Sequence, residues 1–186
     1  LAAHLRGAKP AQDHDLADLV AILFPEHEPY DPKPRVEIAP DDPAHDAASR
    51  IIRAHLAVIR RNEAGIIADH DSEFLHDYRV ALRKIRSVVS LLRGVYDEAQ
   101  TEDLKRRFSD LMAPTNLLRD LDVQLLDRAA CHDLLPETLQ DGLTLMYDLF
   151  SRERRQEHRK IARRLASAEY RADMSALQDR FAQGSG

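Results

Sequence analysis

Tryptophan is absent from these 186 residues, glycine is down to six and cysteine to one. Each shortage removes a class of function. A lone thiol, Cys131, cannot build a disulfide framework or a multi-cysteine zinc site. Six glycines leave no loop of the kind that cradles a nucleotide's phosphates. No apolar run approaches the roughly 20 residues that a membrane-spanning helix needs. No stretch alternates with period two between turn residues, so no sheet is expected. What remains is 44% hydrophobic and 32% charged, enough for a core and a solvated surface. The length suits one domain rather than two. The chain begins with Leu1 rather than Met, so a native N-terminus further upstream is expected. The visible part reads as soluble and cytoplasmic.

Net charge is −5 at pH 7, which at first speaks against a polyanion partner. The charge is segregated, however. Residues 1–49 hold ten acids against four bases, whereas 152–164 hold seven bases against Glu153 and Glu157. Fields act within a Debye length of about 8–10 Å, so local excess outweighs the total.

Seven of the nine prolines lie between Pro10 and Pro43. Proline fixes φ and removes a donor, so an extended arm is expected there, preceded by a short amphipathic helix over 13–23. The expected division is a helix and arm over 1–40, a helical domain over 41–183 and a tail over 184–186. Within the domain, helical periodicity predicts helices over about 46–63, 72–93, 101–112, from 117 onward and 137–168, then a last one through Met174, Leu177 and Phe181. Gly65 is read as weakening or ending the first, Gly94 as stopping the second. The fold class is an all-α helical bundle.

The helix after Ser72 carries the chemistry. At about 100° per residue, His76, Arg79, Arg83, Arg86, Ser90 and Arg93 share one sector, and Tyr78, Leu82, Ile85, Val89 and Leu92 a neighbouring apolar one. Like charges at these spacings cost about 0.2–0.5 kcal/mol per pair. No acid stands at i±4 from Arg79, Arg83 or Arg86, so the compensating anion must come from elsewhere. Arg152, Arg155, Arg159 and Arg163 repeat the design on the long helix, opposite Leu143, Tyr147, Phe150, Ile161 and Leu165. Lys105, Arg106 and Arg107 could add to the field. Guanidinium binds phosphate oxygens bidentately and keeps its charge, so two facing ladders would make a groove for a repeating polyanion. A charge run is more often a merely solvated face. Regular spacing on two helices, each beside a clean apolar face, is what speaks for anion binding.

The run His76-x-x-Arg79-Val80-x-x-Arg83-Lys84-x-Arg86-Ser87, followed by Arg119-Asp120-Leu121-Asp122-Val123, resembles the CHAD domain, the conserved histidine α-helical domain. The likeness spans about 41–181. The resemblance implies an all-α, non-enzymatic domain that binds inorganic polyphosphate without a cofactor, often beside a CYTH-type triphosphatase domain or on polyphosphate granules. It implies binding by His76, Arg79, Arg83, Lys84, Arg86 and Arg119, with the Arg155/Arg159 stripe by its placement; Lys105 and Arg106 would support them. Asp120 and Asp122 read as structural partners of arginine. Asn116 stands where the family usually has glycine before the Arg-Asp motif. Such domains have two similar helical halves around a basic channel, and a second His-x-x-Arg half is missing from this chain. A continuing half, or a homodimer, would complete the channel.

Two other classes compete. Five His-Asp pairs, at His14, His45, His70, His76 and His132, suggest a metal-dependent phosphohydrolase. Such chemistry needs ligands converging on one point, and His76 lies on an arginine stripe that repels cations. Cys131 and His132 point about 100° apart on a helix and make no nucleophile–base pair. Arginine ladders also suit a nucleic-acid backbone, yet no aromatic residues interleave them for stacking.

Overall fold

The computed structural model describes residues 30–182, and the helical unit considered below begins at Pro32. The expected helix over 13–23, the start of the arm and the 184–186 tail lie outside the described residues. Among those described, the fold is all-α, with no strand. The helices are α1 (Ala44–Ala68), α2 (Ser72–Leu91), α3 (Glu98–Met112), a 3₁₀ turn (Ala113–Thr115), α4 (Asn116–Leu126), α5 (Arg128–Leu134), α6 (Glu137–Leu165) and α7 (Ala168–Ala182).

Residues 32–43 carry no regular element and are tied down by Asp42. Its carboxylate accepts from the Ala39 N–H at 2.7 Å and from Arg50. Pro43 then serves as N-cap of α1. The helix does not stop at Gly65 as the composition suggested. It runs on to Ala68, because Gly65 lets Phe74 of α2 approach where a side chain would stand. It closes on Asp69, a left-handed residue with φ 55° whose N–H bonds Ile66 O at 3.2 Å, while His70 N–H bonds Gly65 O. Asp is one of the few side chains that tolerate this conformation.

Asp71 caps α2 and Asp97 caps α3, each accepting a backbone N–H of the first turn. The α3 cap moves that helix's start to Glu98, three residues before the expected one. Pro114 breaks the chain into the 3₁₀ turn, and α4 follows at once.

Buried Ile52, Leu56 and Ile59 of α1 meet Tyr78, Leu82 and Ile85 of α2, Leu104 and Phe108 of α3, and Met174, Leu177 and Phe181 of α7 in one core. The wall that matters for the site follows from the packing order. Both α1 and α4 pack against α2 and against α6, whereas no extended packing joins α2 to α6. Deep in the core, Tyr170 donates to Glu63 at 2.7 Å, Arg60 donates to the other oxygen of that carboxylate at 2.7 Å, and the Tyr78 hydroxyl lies 3.4 Å from that of Tyr170.

Candidate functional site

The buried side of α2 is set by Leu75, Tyr78, Leu82, Ile85 and Val89, and the arginine ladder runs along one flank of it. That flank looks onto the corner where α3 ends and α4 begins. Arg79, half-buried, donates from Nη1 to Thr115 Oγ1 at 2.6 Å and Asn116 Oδ1 at 2.8 Å, and lies 3.5 Å from Met112 O. Thr115 itself bonds Met112 O at 2.7 Å. One guanidinium nitrogen thereby serves the polar groups exposed by the Pro114 break. Nε and Nη2 of Arg79 have no partner among the described residues. One turn on, Arg83 is exposed and unpaired among the described residues, and Arg86 reaches Met112 Sδ at 3.2 Å.

Arg119 of α4 joins this cluster. It is only 18% exposed and its Nη1 is buried without a hydrogen bond; the Glu73 carboxylate stays 3.9 Å away. The electrostatics of Arg79 follow from this setting. Burial pushes the Arg79 pKa down, Asp120 opposes, and Arg83 and Arg119 push it down again. Three guanidinium groups therefore gather at the α2–α4 contact, with Asp120 acting on Arg79 and with Glu73 and Asp122 near Arg119. His76 stands half-buried a turn before Arg79.

Other expected residues lie elsewhere. Lys84 is on the opposite flank of α2, where it lines a cleft with His55 of α1. Lys105 pairs with Glu102 at 2.9 Å on its own helix, whereas Arg106 at 2.6 Å and Arg107 at 3.6 Å share the one carboxylate of Asp103, which Arg180 also reaches at 3.2 Å. Arg155 and Arg159 are exposed on α6, on a flank of the side where Tyr147, Ile161 and Leu165 are buried. Between α2 and α6 themselves there is no extended packing, and the two helices are joined through α1 and α4.

Periodicity passed over Arg154. Its Nε donates to Asp122 at 2.6 Å, and Nη1 and Nη2 donate to the two oxygens of Asp69 at 2.8 and 2.7 Å. His158 Nε2 lies 2.7 Å from Ile66 O. This cluster ties the end of α1 to α4 and α6, and it realises the structural role expected of Asp122. A signal existed: Arg154 and His158 share the stripe of Tyr147, Ile161 and Leu165, polar residues in an apolar register. Among the described residues, no three of His, Cys, Asp and Glu converge as metal ligands.

An all-α domain with arginines clustered on one helical face is the class of protein that fold and site define. The CHAD domain family matches over residues 50–186, and the chain belongs to it. CHAD domains are associated with polyphosphate binding and are generally non-catalytic. No curated protein matches the chain. No helix among the described residues is long and apolar enough to cross a membrane.

Proposed function

We propose that the protein binds inorganic polyphosphate, without hydrolysing it, along the α2 flank that carries His76, Arg79, Arg83 and Arg86, with Arg119 of α4 at one end. The observation that carries this reading is the α2–α4 cluster, where Thr115 and Asn116 hold Arg79 at 2.6 and 2.8 Å, Arg83 is exposed one turn on, and Arg119 keeps a buried Nη1 without a hydrogen bond. Phosphoryl oxygens would supply the missing negative charge, and the rigid guanidinium fork suits them. Arg79, held by Thr115 and Asn116, is pre-positioned, and the exposed Arg83 and Arg86 are the side chains that close on the chain. Lys105 and Arg106, already paired, contribute field rather than direct bonds. Lys84 faces away and is the weakest member of the set. Arg155 and Arg159 form a second basic stripe that only a long polymer would reach.

Calorimetric titration with long-chain polyphosphate at several salt concentrations tests this. Affinity should fall steeply with salt as counterions are released. Arg83→Ala with Arg86→Ala should abolish most binding and leave the helical circular dichroism intact. Unchanged affinity in that variant would exclude this face. Phosphate release from polyphosphate in the presence of Mg²⁺ or Mn²⁺, abolished by chelator, would instead favour a hydrolase.

A further inference from the structure

The other flank of α2 holds a cationic feature that the arginine ladder does not use. Val80 and Lys84 form one side of a cleft of about 420 Å³, with His55 of α1 and Pro32, Lys33 and Pro34 around the rest. That volume falls in the range of small-molecule sites, roughly 300–1,000 Å³. No acid lines it.

His55 gives the cleft its chemistry. The residue is 9% exposed, and its Nδ1 is sealed from solvent with no partner. A proton on Nδ1 would leave a buried N–H without an acceptor, which is costly. The favoured form is therefore the neutral ring with its proton on Nε2, the nitrogen that is not sealed. Burial, then the charge of Lys84, holds His55 below the ordinary histidine range. Lys84 forms no ion pair with any described acid, whereas Lys33 has an interaction of its own and counts here only as wall. Pro32 and Pro34 offer no N–H.

The cleft thus presents the Lys84 ammonium, with Lys33 also in its wall, one neutral N–H donor and an apolar lining from two prolines and a valine. We propose that it binds a small organic carboxylate, one oxygen toward Lys84 Nζ, the other toward His55 Nε2, and the apolar body against Pro32, Pro34 and Val80. A hydrated phosphate dianion gains nothing from the proline and valine walls.

Benzoate is the probe. Titrated into the labelled full chain and followed by NMR, it should shift the His55 ring, Val80 methyl and Lys84 side-chain resonances saturably. Lys84→Met, at an exposed position that leaves the fold intact, should weaken binding by about tenfold, the loss of one charge-assisted bond. Benzyl alcohol should produce no saturable shift. Arg83→Ala with Arg86→Ala should leave the benzoate affinity unchanged, which separates this site from the polyphosphate face. The proposal is overturned by non-saturating shifts, by equal affinity in Lys84→Met, or by benzyl alcohol binding as tightly as benzoate. Inorganic phosphate moving the same resonances with equal affinity would also overturn the carboxylate assignment.

Discussion

Arg154 and Arg155 are adjacent on α6 and have opposite fates. The first spends its guanidinium on Asp122 and on both oxygens of Asp69; the second projects into solvent. Asp122 is buried, so removing Arg154 strands a carboxylate beside its own unpartnered Oδ2. Arg154→Met should therefore cost about 3 kcal/mol, the low end for a broken buried pair, since Arg154 and Asp69 keep some exposure. Arg155→Ala should stay within about 0.5 kcal/mol. Urea unfolding of the two variants checks the contrast. The carboxylates also respond differently to acid. Hydrogen bonds from Arg154 hold Asp69 below the usual range, whereas burial raises Asp122 with Arg154 opposing. Asp69 binds fewer protons folded than unfolded, so its contribution is present above about pH 4 and lost as pH falls through its folded pKa. Asp122 binds more protons folded, so its contribution has the opposite slope. Asp69→Asn should flatten the acid limb of stability and Asp122→Asn should steepen it. Equal slopes in the two variants would mean that the cluster does not set the acid response.

One glycine decides how α1 and α2 pack. A Cβ on Gly65 would come 2.2 Å from Phe74 Cδ1, so the ring must swing out of the α1–α2 contact. Alanine gains up to about 1 kcal/mol in helix propensity there but overpacks by about 1–3 kcal/mol, and a net loss is expected. In a Phe74→Ala background the clash vanishes and Gly65→Ala should stabilise. Thermal melts of the four proteins in this cycle measure that reversal of sign. Gly65 also shows where reading by composition falters. Glycine is a poor helix former on average, and nothing local reveals that a phenylalanine from the next helix will occupy its missing side chain. Periodicity found α2, α6 and α7 because each buries a regular stripe. It missed α5, which has no buried residue and hence no stripe to betray it.

The same limit governs the site across the whole molecule. Spacing alone locates Arg79, Arg83 and Arg86 on one flank of α2, and it sets Arg155 and Arg159 on a flank of the apolar side of α6. Which helix stands between two others is a long-range fact, written in no local pattern. Here α2 and α6 meet through α1 and α4 rather than directly, a relation that the spacing along either helix does not encode. Arg119 was legible as part of a motif, but its place beside Arg79 depends on the Pro114 turn bringing α4 back onto α2. This geometry makes chain length the discriminating variable. A short polyphosphate can be gripped by the α2 face alone, so Arg155→Ala with Arg159→Ala should leave its affinity nearly unchanged. A chain of many tens of phosphates can pass round the bundle and engage both faces. For that ligand the same double variant should weaken binding and lower the slope of log K against log salt by about 1.4, at roughly 0.7 per phosphate contact for a flexible polyanion. Titrations of both lengths over a salt series measure the two slopes. Equal losses for short and long chains would mean that the two stripes meet in one groove after all, whereas a loss confined to long chains would place them on separate surfaces joined only by the ligand.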